Sequence, residues 1–405
     1  MKKSVSLIIS IILIISLCGC SIKETIGNTV DSVLDFADSL FPVQSISQEE
    51  YELYDISQPD LTSCYNTLSE NQKTIYKKIG VMAEKMTEGY IKLCKVKQTA
   101  ISDIAIAYDA FLKDRADIFW MPDTYIIAST GKGNNKMYAI AFEYSDGKNS
   151  NHYPVKKEKR DQMVAQLDSV INEITQKAKE FSTQYEKEKY INDYLCNNVT
   201  YDKSDLYSNT VYGALVRKTA LCEGYSKAFK LLCNKVGIQC DLVSGVAEGE
   251  NHMWNLVNID GAFSYVDVTW NDGEDYITYS YFNITDQQLS HDHTSAPLVS
   301  DLPLDDARKG LYNFVSYSCT YTGNTYFAKE NLVFQGSYVT TAVKGIKAAQ
   351  QKGQSYQQFL FSDDKLQNKF TQNPDGFLGK IQILLLDKKL TYYSLNRDTL
   401  TIFFE

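Results

Sequence analysis

The stretch from Cys222 to Trp270 constrains this chain more than any other, because a helix, a tight turn and two strands follow one another with little slack. After Cys222 the apolar residues Tyr225, Ala228, Phe229, Leu232 and Val236 recur at helical intervals, and Gly237 follows as a terminator. Residues 251–259 (NHMWNLVNI) alternate between two faces, Asp260-Gly261 is a two-residue hairpin turn, and residues 262–270 (AFSYVDVTW) return. That turn sets Ile259 opposite Ala262 and thereby fixes every other pair. His252 is then expected opposite Thr269, with Asp267 as its diagonal neighbour on the same face, roughly 7–8 Å away. A slip of one residue would send the two side chains to opposite faces.

The helix adds the third group. Cys222 falls in its first turn, where unpaired backbone N–H groups and the macrodipole favour an anion. The thiolate is the form that attacks carbonyls. A single helical cysteine is more often packing than chemistry, and a lone His or Asp says as little. A helix-head Cys joined to a His/Asp pair on one strand face is improbable as an accident. The three read as a cysteine nucleophile, its base and an orienting carboxylate.

These residues also carry a family resemblance. Residues 212–215 (YGAL) and 220–228 (ALCEGYSKA) resemble the nucleophile segment of the transglutaminase-like superfamily. His252-Met253-Trp254-Asn255 and Val266-Asp267-Val268-Thr269-Trp270-Asn271 resemble its His and Asp segments, in family order, within about 110 residues from near Tyr190 to near His293. Met253 stands where the superfamily often has a small residue. The resemblance implies an α+β, papain-like core with Cys222 as nucleophile, His252 as base and acid, and Asp267 as orienter. It implies acyl transfer at a peptide or protein amide. The Cys222 N–H would be one oxyanion donor, with Asn198 or Tyr201 upstream as candidates for the second. Transglutaminases, peptide and isopeptide hydrolases, deglycosylases and inactive relatives all share this machinery, so the substrate stays open.

The N-terminus places the chemistry. Lys2 and Lys3 precede the apolar stretch Val5 to Leu17, which has signal-peptide shape and is shorter than the ~20 residues of a membrane span. Leu17-Cys18-Gly19-Cys20 resembles a bacterial lipoprotein processing box, which implies cleavage before Cys20 and lipid on its thiol. The enzyme is expected outside the cytoplasm, anchored to the outer face of the bacterial cell membrane. Loss of Lys2 and Lys3 with the leader takes the net charge from −9 to −11, which argues against a nucleic-acid partner. With 29 tyrosines against 7 prolines the chain is globular rather than disordered.

Beyond Cys18 and Cys20, the cysteines Cys64, Cys94, Cys196, Cys222, Cys233, Cys240 and Cys319 show no compact disulfide framework. Cys196 and Cys233 lie on apolar helical faces and read as buried thiols. No zinc-type spacing and no phosphate-cradling glycine loop appears, so no metal and no cofactor is expected. His291-Asp292-His293 is the one tempting metal-like cluster; with no third ligand nearby it reads as a loop or strand end.

Along the chain the expected organisation is a leader at 1–19, a tether at 20–45, an N-terminal α+β domain at 46–155, the catalytic domain at 156–300 and a small C-terminal α+β domain at 308–405. In the first domain Leu68, Ile75, Ile79, Met82 and Met86 mark a helical face. Residues 124–129 and 137–144 flank a turn at 131–135, and Trp120 sits in a packed corner or lines a groove. Helices are expected at about 157–179 and 183–197, another at 339–351 closed by Gly353, and a buried strand at 381–386. The C-terminal domain reads as a binding or spacer module. Three functions fit: a cysteine hydrolase, an amine-accepting crosslinker, or a silent surface binding module.

Overall fold

The computed structural model describes residues 43–56, 63–97, 99–131, 133–145, 150–303, 311–385 and 389–405. The expected leader, Cys20 and most of the tether lie outside the described residues. The chain is α+β and divides into two compact units. One takes residues up to Glu173, with Thr210–Arg217 and Ser295–Ser316; the other takes Ile174–Asn209, Lys218–Thr294 and Tyr317–Glu405.

The first unit is built on a sheet of order β1–β2–β4–β3, formed by β1 (Val43–Ser45), β2 (Tyr90–Lys95), β3 (Thr124–Thr130) and β4 (Met137–Ser145), with β5 (Ser150–Asn151) on the end of β4. The predicted hairpin is present: Thr130 pairs with Met137 across a short 3-10 turn at Gly133–Asn135. Helix α1 (Glu70–Lys85) opens with a capping box. The Ser69 hydroxyl accepts the Gln72 N–H, while the Gln72 side chain accepts the Ser69 N–H. Leu68, Ile75, Ile79, Met82 and Met86 are all buried, as their spacing predicts. Beside α1 packs α2 (Ala100–Asp114). Trp120 belongs to this core: it is buried, its Nε1–H donates to the Ala83 carbonyl at 2.9 Å, and Phe119 meets it edge-on. The unit's border falls inside the long helix α3 (Lys157–Lys179).

The second unit starts from α4 (Gln184–Asn198), capped by Thr183, followed by the parallel pair β6 (Thr200–Tyr201) and β7 (Thr219–Ala220). Helix α5 (Cys222–Lys235) packs against β8 (Cys240–Ala247) and β9 (Glu250–Ile259). Its residues Tyr225, Ala228, Phe229 and Leu232 are fully buried, and Gly237 ends it in the left-handed region. Strand β10 (Ala262–Val266) pairs with β9 in the predicted register, Ile259 with Ala262 through Asn255 with Val266. Asp260 and Gly261 both have positive φ, which a two-residue turn of this kind demands.

Two expectations are corrected here. Residues 262–270 do not return as one strand: β10 stops at Val266, and α6 (Val268–Asn271) begins with Asp267 as its cap. The Asp267 side chain accepts the Trp270 N–H, which diverts an alternating sequence into a helical turn. The expected buried strand at 381–386 is likewise absent from its described part, 381–385. These residues begin in the last turn of a helix that starts at Asn373-Pro374, and Ile383 and Leu384 are exposed.

Strands β11 (Phe282–Ile284) and β12 (His293–Ser295) complete the sheet of order β11–β10–β9–β8–β12. A second sheet in the same unit, β13–β14–β16–β15, comes from β13 (Val333–Phe334), β14 (Tyr356–Phe361), β15 (Leu390–Asn396) and β16 (Thr399–Phe404). Helix α7 (Tyr338–Gln351) packs on β13 and β14, and Gly353 follows it with positive φ as predicted.

Candidate active site

Cys222 is the first residue of α5, with Leu221 as the N-cap, so its backbone N–H has no acceptor within the helix. The chain reaches this point through a tight crossing. The Leu221 N–H donates to the Ser208 carbonyl, and that same oxygen lies where a Cβ on Gly224 would sit, 2.2 Å away. Only glycine allows the 208 loop to press on the helix head. Two further bonds tie α5 to β9: the Ser226 hydroxyl donates to the Met253 carbonyl at 2.8 Å, and the Asn255 amide to the Ser226 carbonyl at 3.0 Å. Both fall just after His252 in β9 and hold its strand against the helix that carries the thiol.

His252 Nε2 lies 2.7 Å from Asp267 Oδ2. With Nε2 turned to the carboxylate, Nδ1 is left as the ring nitrogen for Cys222. Burial works against charge on this imidazole. Hydrogen bonds to Asp267 and Cys222, and the charges of both, outweigh it and push the His252 pKa up to about 10. Asp267 is itself buried, which opposes ionisation, yet its bonds to His252 and His293 hold its carboxyl below the usual range. The diagonal contact expected across the ladder is thus made, although the ladder ends one residue earlier. Asp267 reaches His252 from a helix cap, not from a strand.

The structure adds a residue that sequence reasoning missed. His293, fully buried in its side chain, places Nε2 3.1 Å from the same Asp267 Oδ2 and Nδ1 2.5 Å from Asp292 Oδ1. The ring meets Trp270 and Trp254 edge-on. The 291–293 triplet therefore splits: His291 is exposed, while His293 starts β12 and faces inward. Its signal in the sequence was the alternation of the triplet, which put one histidine on the sheet's buried face. His252, Asp267 and His293 bring their ring nitrogens and a carboxylate oxygen within 4.8 Å of one another, a spacing that a metal ion could also bridge. As folded, both Nε2 atoms already engage Asp267 Oδ2, so a metal there would replace the His252–Asp267 bond.

The two oxyanion candidates part company. Asn198 ends α4 at the surface, and its amide donates to the Tyr194 carbonyl of its own helix at 2.8 Å. Tyr201 pairs with Ala220, two residues before the thiol, and its ring stacks on Tyr225. Partial burial, and then the charge of Cys222, raise the Tyr201 hydroxyl's pKa, which puts it within electrostatic reach of the sulfur. The seven described cysteines are all free thiols, Cys196 and Cys233 buried among them. Among the described residues no helix is long and apolar enough to cross a membrane.

A sequence model of the transglutaminase-like superfamily matches residues 169–269. The kyphoscoliosis peptidase of Homo sapiens is 27% identical over an alignment covering 26% of this chain and 18% of its own length. That of Mus musculus is 25% identical over the same shares. The chain thus spans about a fifth of the length of the curated relatives it matches. A crystal structure of a TGase is similar at 17% identity, with a TM-score of 0.26, over 47% of this chain and 52% of that one. Cys222, His252 and Asp267 all lie inside the segment that this superfamily model matches, which makes up about a quarter of the chain.

Proposed function

We propose that this protein is a cysteine enzyme that cleaves amide bonds in peptides or proteins, with Cys222 as nucleophile, His252 as base and acid, and Asp267 as orienter. The observation that carries the reading is the arrangement of a helix-head thiol against an imidazole held at 2.7 Å by a buried carboxylate. Cys222 Sγ forms a bond to the carboxamide carbon, and the carbonyl electrons move to oxygen. The Cys222 N–H and the Tyr201 hydroxyl receive that oxyanion. Its collapse breaks the C–N bond while His252 gives its proton to the departing amine. Water then attacks the thioester, His252 takes its proton, and the thiolate leaves from a new carboxylic acid.

Hydrolysis is the default outcome, because water is the abundant acceptor unless a site excludes it. The peptidase name of the two curated relatives supports the same choice. The lipoprotein-like box ending at Cys20 supports a lipid tether on the outer face of the bacterial membrane, with exposed peptides or proteins as substrates.

The test is mass spectrometry of a peptide and protein panel incubated with the full-length protein in detergent, with and without a primary amine, beside Cys222→Ala. Cut chains that need Cys222 are the expected product. Incorporated amine would replace hydrolysis by crosslinking. If no product depends on Cys222 and the thiol alkylates no faster than a free cysteine, with no effect of His252→Ala, the protein is a binding module.

A further inference from the structure

Beyond the His252–Asp267 pair, charged and polar groups continue through the buried His293 to the less buried Asp292 and Arg397. Asp267 Oδ2 faces two imidazoles, His252 Nε2 at 2.7 Å and His293 Nε2 at 3.1 Å. The other His293 nitrogen meets Asp292 Oδ1 at 2.5 Å. Asp292 Oδ2 accepts the Tyr281 hydroxyl at 2.9 Å and lies 3.3 Å from Arg397 Nε. The Asp292 backbone is fixed as well, its carbonyl accepting the Glu248 N–H. Arg397 belongs to the turn between β15 and β16, where it has positive φ; its guanidinium covers the Tyr281 ring and donates to the Gln288 carbonyl. The titratable and charged side chains around the His293 ring and its two carboxylates are thus Asp267, His252, Asp292, Tyr281 and Arg397, with Cys196 and Tyr201 also within electrostatic reach of Asp267. Trp254 and Trp270 close the remaining sides.

Both carboxylates need donors in this dry setting. A lone pair of Nε2 aimed at an ionised Oδ2 would repel it, so a proton lies between Nε2 and Asp267. The short Asp292 contact holds a second proton, whichever of its two atoms carries it. Asp267 Oδ1 is already engaged by the Trp270 N–H. The carboxylate is therefore clamped from three directions, and only one of them is the residue it serves.

We infer that His293, braced by Asp292 and Arg397, is a positioning residue for the proposed chemistry: its Nε2–H donates to Asp267 and holds that carboxylate aimed at His252. The inference rests on the proposed role of Cys222 and extends it to a line of groups running from the thiol to the second sheet. Without the His293 donor, the Trp270 N–H is left as the one bond that holds the Asp267 carboxylate towards His252. A carboxylate that swings off the His252 ring supports the imidazolium, and the thiolate paired with it, less well. The clamp thus extends thiol reactivity towards acid pH.

The experiment follows the iodoacetamide alkylation rate of Cys222 against pH in the full-length protein, for wild type, His293→Phe and His293→Gln, with thermal melts of each. In His293→Phe the acid limb is expected to move up by about one pH unit. His293→Gln keeps an amide donor towards Asp267 and is expected within about 0.3 unit of wild type. A merely structural role would lower the melting temperature and leave the limb in place. An unmoved limb in His293→Phe, with alkylation still slowed by His252→Ala, overturns the inference and leaves the proposed chemistry standing. Wild-type Cys222 that ignores His252→Ala would instead remove the proposed chemistry. Should His293→Phe fail to fold, nitrogen NMR of the wild type decides, since the chain has only 4 histidines. A protonated Nε2 on His293 supports the clamp, and a bare one overturns it.

Discussion

Proton placement in the site depends on how one carboxylate is held. Burial disfavours the charged form of both His252 and Asp267, and each helps to keep the other ionised, with Cys222 adding to the hold on His252 and His293 to that on Asp267. The charge and hydrogen bond of Asp267, together with Cys222, hold the His252 proton up to about pH 10. Asp267→Asn keeps the shape and removes the charge, leaving burial to act with less opposition. The His252 midpoint should then fall by roughly 1–3 pH units. The imidazolium is present below the midpoint and lost above it, so the change narrows the window from the alkaline side. Ring-nitrogen NMR titration of His252 measures this directly. A midpoint that stays near 10 in the variant would mean that Cys222 alone holds the proton.

Among the elements, the helix head is the most finely fitted. Gly224 lies two residues from the thiol, and an added Cβ would stand 2.2 Å from the Ser208 carbonyl and 2.9 Å from the Ala220 Cβ. Gly224→Ala must push the 208 loop off α5, which overpacking puts at about 1–3 kcal/mol. Denaturant melts should show that loss, and Cys222 alkylation should slow in parallel because Leu221 is anchored to the same Ser208 carbonyl. A stable variant with unaltered alkylation would show that the crossing does not place the thiol. Much of this element-level arrangement was readable beforehand. Periodicity gave α5, and Asp260-Gly261 gave the register that brings His252 and Asp267 near. The end of β10 was not, since residues 262–270 keep alternating while the Asp267 cap turns them helical. Residues 381–386 misled for the opposite reason: a short apolar run suits a strand or a helix end equally, and the cap at Asn373-Pro374 decides. His293 needed tertiary structure, because nothing local couples it to Asp267.

At the scale of the whole molecule, the C-terminal sheet and the sheet that carries His252 fall in one compact unit. Specific bonds join the segments that flank them. Gln358 of β14 donates from Nε2 to the Ile277 carbonyl at 2.7 Å and accepts the Tyr279 N–H at 3.0 Å. Tyr279 stacks on Tyr326 and Phe263 on Tyr317, each with ring centres 3.8 Å apart. Asn324 donates to the Ile259 carbonyl beside the β9–β10 turn. A module joined in this way should open together with the sheet it supports, since leaving buried backbone groups unpaired costs about 1–3 kcal/mol each. Native-state hydrogen exchange should therefore give the amides of β9 and β14 the same opening free energy. Gln358→Ala should lower both by a similar amount, about 1–3 kcal/mol. If β14 alone loses protection, residues 317–405 are an independent domain, and Arg397 reaches Asp292 only as a docked accessory. If both fall together, the last strands of the chain help to stabilise the fold around Cys222.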